Sequence, residues 1–207
     1  GFLGPNGAGK STTIRHLMGF VKPQSGSCQI MGKDCFSQAA LIQQSVGYLA
    51  GEIAFIEDMS GISYLNFIAD MKGIRDRSSI RDLLYRFELN PRGKIKKMSK
   101  GMKQKIGLVA AFMGDPSVLI LDEPTSGLDP LMQNRFVELL LERKKKGSTV
   151  FMSSHIFEEV EKTCNRTAII REGRLVDIVQ MKELSKLRNR LYTVTLHDQE
   201  SAQRLAA

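Results

Sequence analysis

The sequence predicts an α/β fold with a mainly parallel sheet and an inserted helical subdomain, and three stretches carry the sheet part of that reading. "FLGPNGAGKSTTIRHLMGF" (2–20) reads as the end of a strand, a glycine-rich turn and an apolar-periodic helix. "SVLILDEP" (117–124) holds four successive apolar residues, Val118 to Leu121, the pattern of a strand buried on both faces of a parallel sheet. "STVFMSS" (148–154) is a further strand that feeds the helix "IFEEVEKTC". Strands alternating with helices pack as a parallel sheet with helices on its faces.

The helical insertion lies between these stretches. "DMSGISYLNFIADMKG" (58–73) and "SSIRDLLYRFELN" (78–90) show apolar spacing at helical period, with serines near their starts. The chain divides accordingly into a core of residues 1–51 and 115–180, a helical subdomain of 52–114, and a C-terminal extension over 181–207. There the alternating "YTVTLHD" reads as a strand and "DQESAQRLAA" as a helix just begun. With no initiator methionine and little room for a strand before the glycine loop, the chain reads as a fragment cut at both ends.

Composition narrows the function classes. At 207 residues, 42% hydrophobic and 25% charged, the chain suits an ordered globular domain and not a disordered tail. Thirty basic against 22 acidic residues give a net charge of +8, a balance that favours polyanions: nucleotide phosphates, nucleic acid or an anionic membrane face. Cys28, Cys35 and Cys164 form no CxxC pair, which argues against a zinc site or a disulfide framework. The longest apolar runs, such as "IGLVAAFM", fall well short of the roughly 20 residues that span a bilayer.

The chemistry begins at "GPNGAGKS", which fits the G-x-x-x-x-G-K-[ST] spacing of a phosphate-binding loop. Gly4, Gly7 and Gly9 let the backbone curl with its amides inward, and the helix from Lys10 adds positive potential at its N-terminus. Lys10 is placed to reach β and γ phosphates, and the Ser11 hydroxyl to bind Mg2+. Asp122 and Glu123 fall at the C-terminal end of the buried strand, the edge where open α/β sheets bind ligands. Asp122 suits an indirect Mg2+ contact and Glu123 a general base that polarises water. His155 sits at the tip of a third strand, whereas His16 lies within a helix and His197 on the polar side of "YTVTLHD", as surface or structural histidines do.

"KIKKMSKGMKQKIG" (94–107) is the most basic stretch, yet its informative residues are Ser99 and Gly101. They precede a helix whose Ile106, Leu108, Val109, Ala110, Phe112 and Met113 suit burial, so hydroxyl, glycine and free amides together make an anion site at a helix start. Lys96, Lys97, Lys103 and Lys105 read as solvated. The second basic run, "ERKKKG", reads as a helix end capped by Gly147.

With "GPNGAGKST", "MSKGM", "LILDEP", "SGLD" and His155 in this order, the chain resembles the ATPase domain of an ABC transporter from Gly1 to about Val179. The resemblance implies a P-loop NTPase core of RecA-like type, with ATP and Mg2+ as cofactors. It implies an ATP-binding set of Gly4, Pro5, Asn6, Gly7, Ala8, Gly9, Lys10, Ser11 and Thr12. It implies head-to-tail pairing on ATP binding, as a homodimer or as paired ATPase domains, in which Ser99, Lys100, Gly101 and Met102 face the partner's γ phosphate and Asp129 crosses the interface. Glu123, His155 and Lys10 are the catalytic residues so implied.

Two positions depart from the family pattern. "MSKGM" places Lys100 and Met102 where glycine and glutamine are usual, and the wording "SKGMKQK" resembles the exporter branch that works with separate ABC-2-type membrane subunits. After "VGYLA", where a glutamine is usual, the chain reads Gly51 and Glu52; Glu52 is expected either as a substitute ligand for Mg2+ or water, or as a surface glutamate. Phe55 and Ile56 lie where a membrane subunit docks in related transporters, although core packing explains either residue as well. The expected setting is the cytoplasmic face of a membrane, without nucleic acid. The competing expectation is a soluble ABC ATPase that acts on ribosomes or DNA, a class that typically carries two ATPase domains or a long coiled coil.

Overall fold

The computed structural model describes residues 1–186. The chain opens on β1 (Phe2–Leu3) and α1 (Lys10–Leu17), followed by a hairpin of β2 (Gln29–Ile30) and β3 (Lys33–Asp34). Next come α2 (Ala39–Ser45), β4 (Val46–Leu49), α3 (Gly61–Met71), α4 (Ser78–Arg86), a 3-10 turn at Ile95–Lys97, and α5 (Lys100–Phe112). The second half holds β5 (Val118–Asp122), α6 (Pro130–Lys145), β6 (Thr149–Ser154), α7 (Phe157–Thr163), β7 (Arg166–Arg171), β8 (Arg174–Gln180) and α8 (Met181–Lys186).

Six strands form one sheet in the order β4-β5-β6-β1-β7-β8. All neighbours are parallel except the edge pair β7 and β8. Because β5, β6 and β1 are adjacent and parallel, the loops that leave them emerge side by side on one edge. The register pairs Asp122 with Ser153 and Leu3 with Ser154, so the ends of the three strands are level.

Apolar burial on both faces fixes the sheet between layers. One cluster joins Leu65 of α3, Leu83 of α4, Ile106 and Leu108 of α5, Leu119 of β5 and Phe136 of α6. Within it the rings of Phe112 and Phe136 meet edge to face at 6.2 Å. On the other face Ile14 and Met18 of α1 pack with Cys35, Ile42, Val46 and Ile120. The helices α3 to α5 therefore share a core with the sheet, and α5 packs against α3, α4 and β4.

Ser60 and Ser99 cap their helices as the sequence suggests, whereas α4 starts after Arg77 with no side-chain cap. Ser60, Ser99 and Asp129 each accept a backbone N–H in the first turn of α3, α5 and α6, from Ser63, Met102 and Met132. At the other end of α6 the last turn is basic, and Gly147 takes a left-handed φ of 94° just beyond it. "YTVTLHD", the helix read after it, and His197 lie outside the described residues. Among the described residues no helix is long and apolar enough to cross a membrane.

Candidate functional site

The site is built on the loop between β1 and α1. Gly9 stands at the N-cap of α1 with a left-handed φ of 103°, a conformation that side chains rarely adopt. Unlike α3, α5 and α6, α1 has no side-chain cap, and it has no acidic residue in its first turn. Its first backbone amides and positive dipole end thus remain for an anion. Lys10, only 5% exposed, folds back over the loop and donates to the carbonyls of Gly4 at 2.8 Å and Pro5 at 3.1 Å. Pro5, Asn6, Ser11 and Thr12 are exposed around it, while Gly4 and Ala8 are buried.

The two carboxylates differ in surroundings. Asp122 is 3% exposed and accepts a short hydrogen bond from Ser153 Oγ. Glu123 adopts a left-handed φ of 47°, a conformation that costs a side-chain-bearing residue of the order of 1 kcal/mol or more. Its N–H donates toward both Ser153 O, at 3.3 Å, and Ser153 Oγ, at 3.2 Å. So turned, the Glu123 carboxylate stands 3.4 Å from Lys10 Nζ and 3.3 Å from His155 Nδ1. Residues following three different strands meet at one oxygen, with His155 48% exposed on the open side.

A second layer holds this constellation. Thr125 Oγ1 donates to Glu159 Oε1, and Ser154 Oγ donates to Glu159 Oε2 at 2.7 Å, which ties the turn after β5 to α7. Gln104 of α5 donates to Pro124 O at 2.8 Å. None of Ser153, Ser154, Thr125, Glu159 and Gln104 stood out by motif. The available signal was a polar residue inside an apolar pattern: two serines ending the buried strand "TVFMSS", and a glutamine among the buried positions of α5.

The stretch Ser99 to Met102 lies against the loop 126–129. A Cβ on Gly101 would stand 2.8 Å from Gly127 O, so that position admits no side chain without movement. The Lys100 stem runs past Gly127, whose added Cβ would meet it at 3.2 to 3.5 Å. Ser99 and Asp129 both spend their side-chain oxygens on caps, and both are exposed. Near Asp122, the position that faces the carboxylate is Gly51, where a Cβ would lie 3.2 Å from Oδ2, whereas Glu52 is exposed. Burial first, and the Asp122 carboxylate second, push the Tyr48 phenol above its usual pKa. Phe55 packs edge to face on Tyr64 at 5.0 Å, and Ile56 is exposed.

The two residues expected at a metal, Asp122 and Ser11, offer a carboxylate and a hydroxyl, both oxygen donors. Among the described residues no cluster of three or more His, Cys, Asp or Glu side chains could hold an ion by itself. Such a sparse oxygen set fits Mg2+, which keeps waters and shares phosphate oxygens.

A glycine loop leading into an uncapped helix, opposed by strand-end carboxylates on a mainly parallel sheet, defines the P-loop nucleotide hydrolase class. Residues 1–126 match the family described as ABC transporter, and the chain belongs to that family. It is 36% identical over 207 residues to the bacitracin transport ATP-binding protein BcrA of Bacillus licheniformis, with 98% of this chain and 67% of that protein covered. It is 37% identical over 183 residues to the linearmycin resistance ATP-binding protein LnrL of Bacillus subtilis, with 86% of this chain and 59% of that protein covered. The chain thus spans between about half and two thirds of the length of such curated relatives. Among solved structures, the ATP-binding subunit of an ABC transporter superposes with a TM-score of 0.82 at 31% identity, covering 89% of this chain and 79% of that one. The dimeric cassette MJ0796 shares the fold, with a TM-score of 0.79 at 20% identity over 87% of this chain and 84% of that one.

Proposed function

We propose that this domain energises export through a separate ABC-2-type membrane subunit, docked on the cytoplasmic face of the membrane, and that it works as an ATP-dependent head-to-tail homodimer. The observation that carries the hydrolytic part is the Glu123 carboxylate, set between Lys10 and His155 at the edge of three parallel strands. The similarity to a bacitracin transport protein and a linearmycin resistance protein supports export.

In this reading the loop Gly4 to Thr12 cradles the phosphates with its backbone amides, and Lys10 exchanges its loop carbonyls for β and γ phosphate oxygens. Ser11 and Asp122 would hold Mg2+. Bound Mg2+ neutralises charge on the transferring phosphoryl group. Glu123 accepts a hydrogen bond from the attacking water and aims it at the γ phosphorus, and His155 contacts the γ phosphate from the open side of the site. Ser99, Lys100, Gly101 and Met102 present the start of α5 to the nucleotide held by the partner, and aimed donors of this kind are commonly the largest catalytic term. Asp129 lies in the loop that crosses to the partner.

The membrane part is tested by affinity purification of the full-length protein from detergent-solubilised cells. A multi-span protein that co-purifies in stoichiometric amount supports export, whereas ribosomes or DNA in its place contradict it.

A further inference from the structure

Gln104 is a polar side chain in an apolar place. It lies on α5 beside the buried Ile106, Gly107 and Leu108 and is only 5% exposed. An amide in such surroundings is costly unless it is hydrogen-bonded, so its partners show what it is for. Its Nε2 donates to Pro124 O at 2.8 Å and lies 3.5 Å from Glu123 O. Both carbonyls belong to the turn that leaves β5.

That turn holds Glu123 in its left-handed conformation, with φ at 47°. The Glu123 N–H is held by Ser153 of β6, and its carbonyl side is held by Gln104 of α5. The residue is clamped at both ends of its backbone, and its carboxylate is thereby directed between Lys10 and His155. The same helix starts at Ser99, and Gly101 rests on Gly127 of the loop that follows Glu123.

We propose that Gln104 is a positioning residue for Glu123: it holds the peptide after the hydrolytic carboxylate, and so couples the first turn of α5 to the water-polarising group of the same protomer. The inference rests on the reading of Glu123 as general base. A shift of the Glu123 backbone moves its carboxylate relative to water without disturbing the phosphate loop, so turnover is affected and nucleotide affinity is not.

The test is steady-state hydrolysis of Mg-ATP, with ATP affinity measured in parallel, on the full-length protein carrying Gln104→Met, which keeps the volume and removes the donor. Gln104→Glu, which keeps the shape and presents oxygens to the two carbonyls, is the second variant in case the first does not fold. The expected result is an ATP Kd within about twofold of wild type and a kcat lower by about 10²-fold, the scale of a misplacement of about 1 Å. In a Glu123→Gln background, either substitution leaves the residual single-turnover rate unchanged, because its effect passes through Glu123. Wild-type kcat in a folded variant, loss of ATP affinity in step with kcat, a further loss on the Glu123→Gln background, or failure of both variants to fold overturns the proposal. A wild-type protein that hydrolyses no ATP contradicts the general-base reading instead.

Discussion

Asp129 carries two assignments that one substitution separates. Its carboxylate caps α6 by accepting from Met132 N at 3.0 Å, and in the proposed dimer its loop meets the partner. Asparagine caps a helix about as well as aspartate, while alanine costs about 1 kcal/mol. Asp129→Asn is therefore expected to leave the Tm near that of wild type while lowering ATPase activity, and Asp129→Ala to lower both; thermal melts beside ATPase rates read the difference. Glu52 is a sharper case, because it is exposed and the neighbouring Gly51, not Glu52, faces Asp122. If its carboxylate reaches the metal when nucleotide is bound, Glu52→Ala raises the Mg2+ concentration needed for half-maximal hydrolysis; an unchanged Mg2+ titration makes it a surface glutamate. At this scale the sequence was most legible where motif spacing is strict: Lys10, Asp122, Glu123 and His155 could all be placed before any geometry was known. Ser153 and Gln104 were not, because their meaning lies in partners 30 and about 20 residues away.

α5 decides most at the level of elements. Its apolar positions pack against α3, α4 and β4, its cap is Ser99, and Gln104 reaches the turn after β5. Loss of the Ser99 side chain removes the cap bond from Met102 N and costs about 1 kcal/mol of helix stability. Ser99→Ala is predicted to lower the denaturation midpoint slightly and hydrolysis strongly, because the same hydroxyl faces the partner's nucleotide in the proposed dimer. A rate loss no larger than the stability loss explains would leave Ser99 a cap and nothing more. The helices α3, α5 and α6 follow their apolar period and start at capping side chains, as local rules allow, while α4 follows its apolar period from Arg77 with no side-chain cap. The hairpin β2 and β3 escaped, since strands of two residues show no period. Equally, no local signal states that β1 sits between β6 and β7; strand order is a long-range property, and it is what brings Gly4, Glu123 and His155 together.

For the whole molecule, the sheet divides two apolar layers and presents the phosphate loop, both carboxylates and His155 on one edge. The start of α5 is packed on the loop 126–129 and carries its own lysines, and in the proposed dimer it faces the nucleotide held by the second chain. The net charge of +8 adds a general attraction for phosphate that is screened by salt. In the proposed cycle ATP binds between two copies, and Glu123 is needed to release them. It is tested most directly by light scattering of the full-length Glu123→Gln protein with and without Mg-ATP. The expected result is a monomer without nucleotide and, with it, a stable dimer that retains two ATP molecules, while wild type returns to monomer as ATP is consumed. A Glu123→Gln protein that binds ATP and stays monomeric would contradict it.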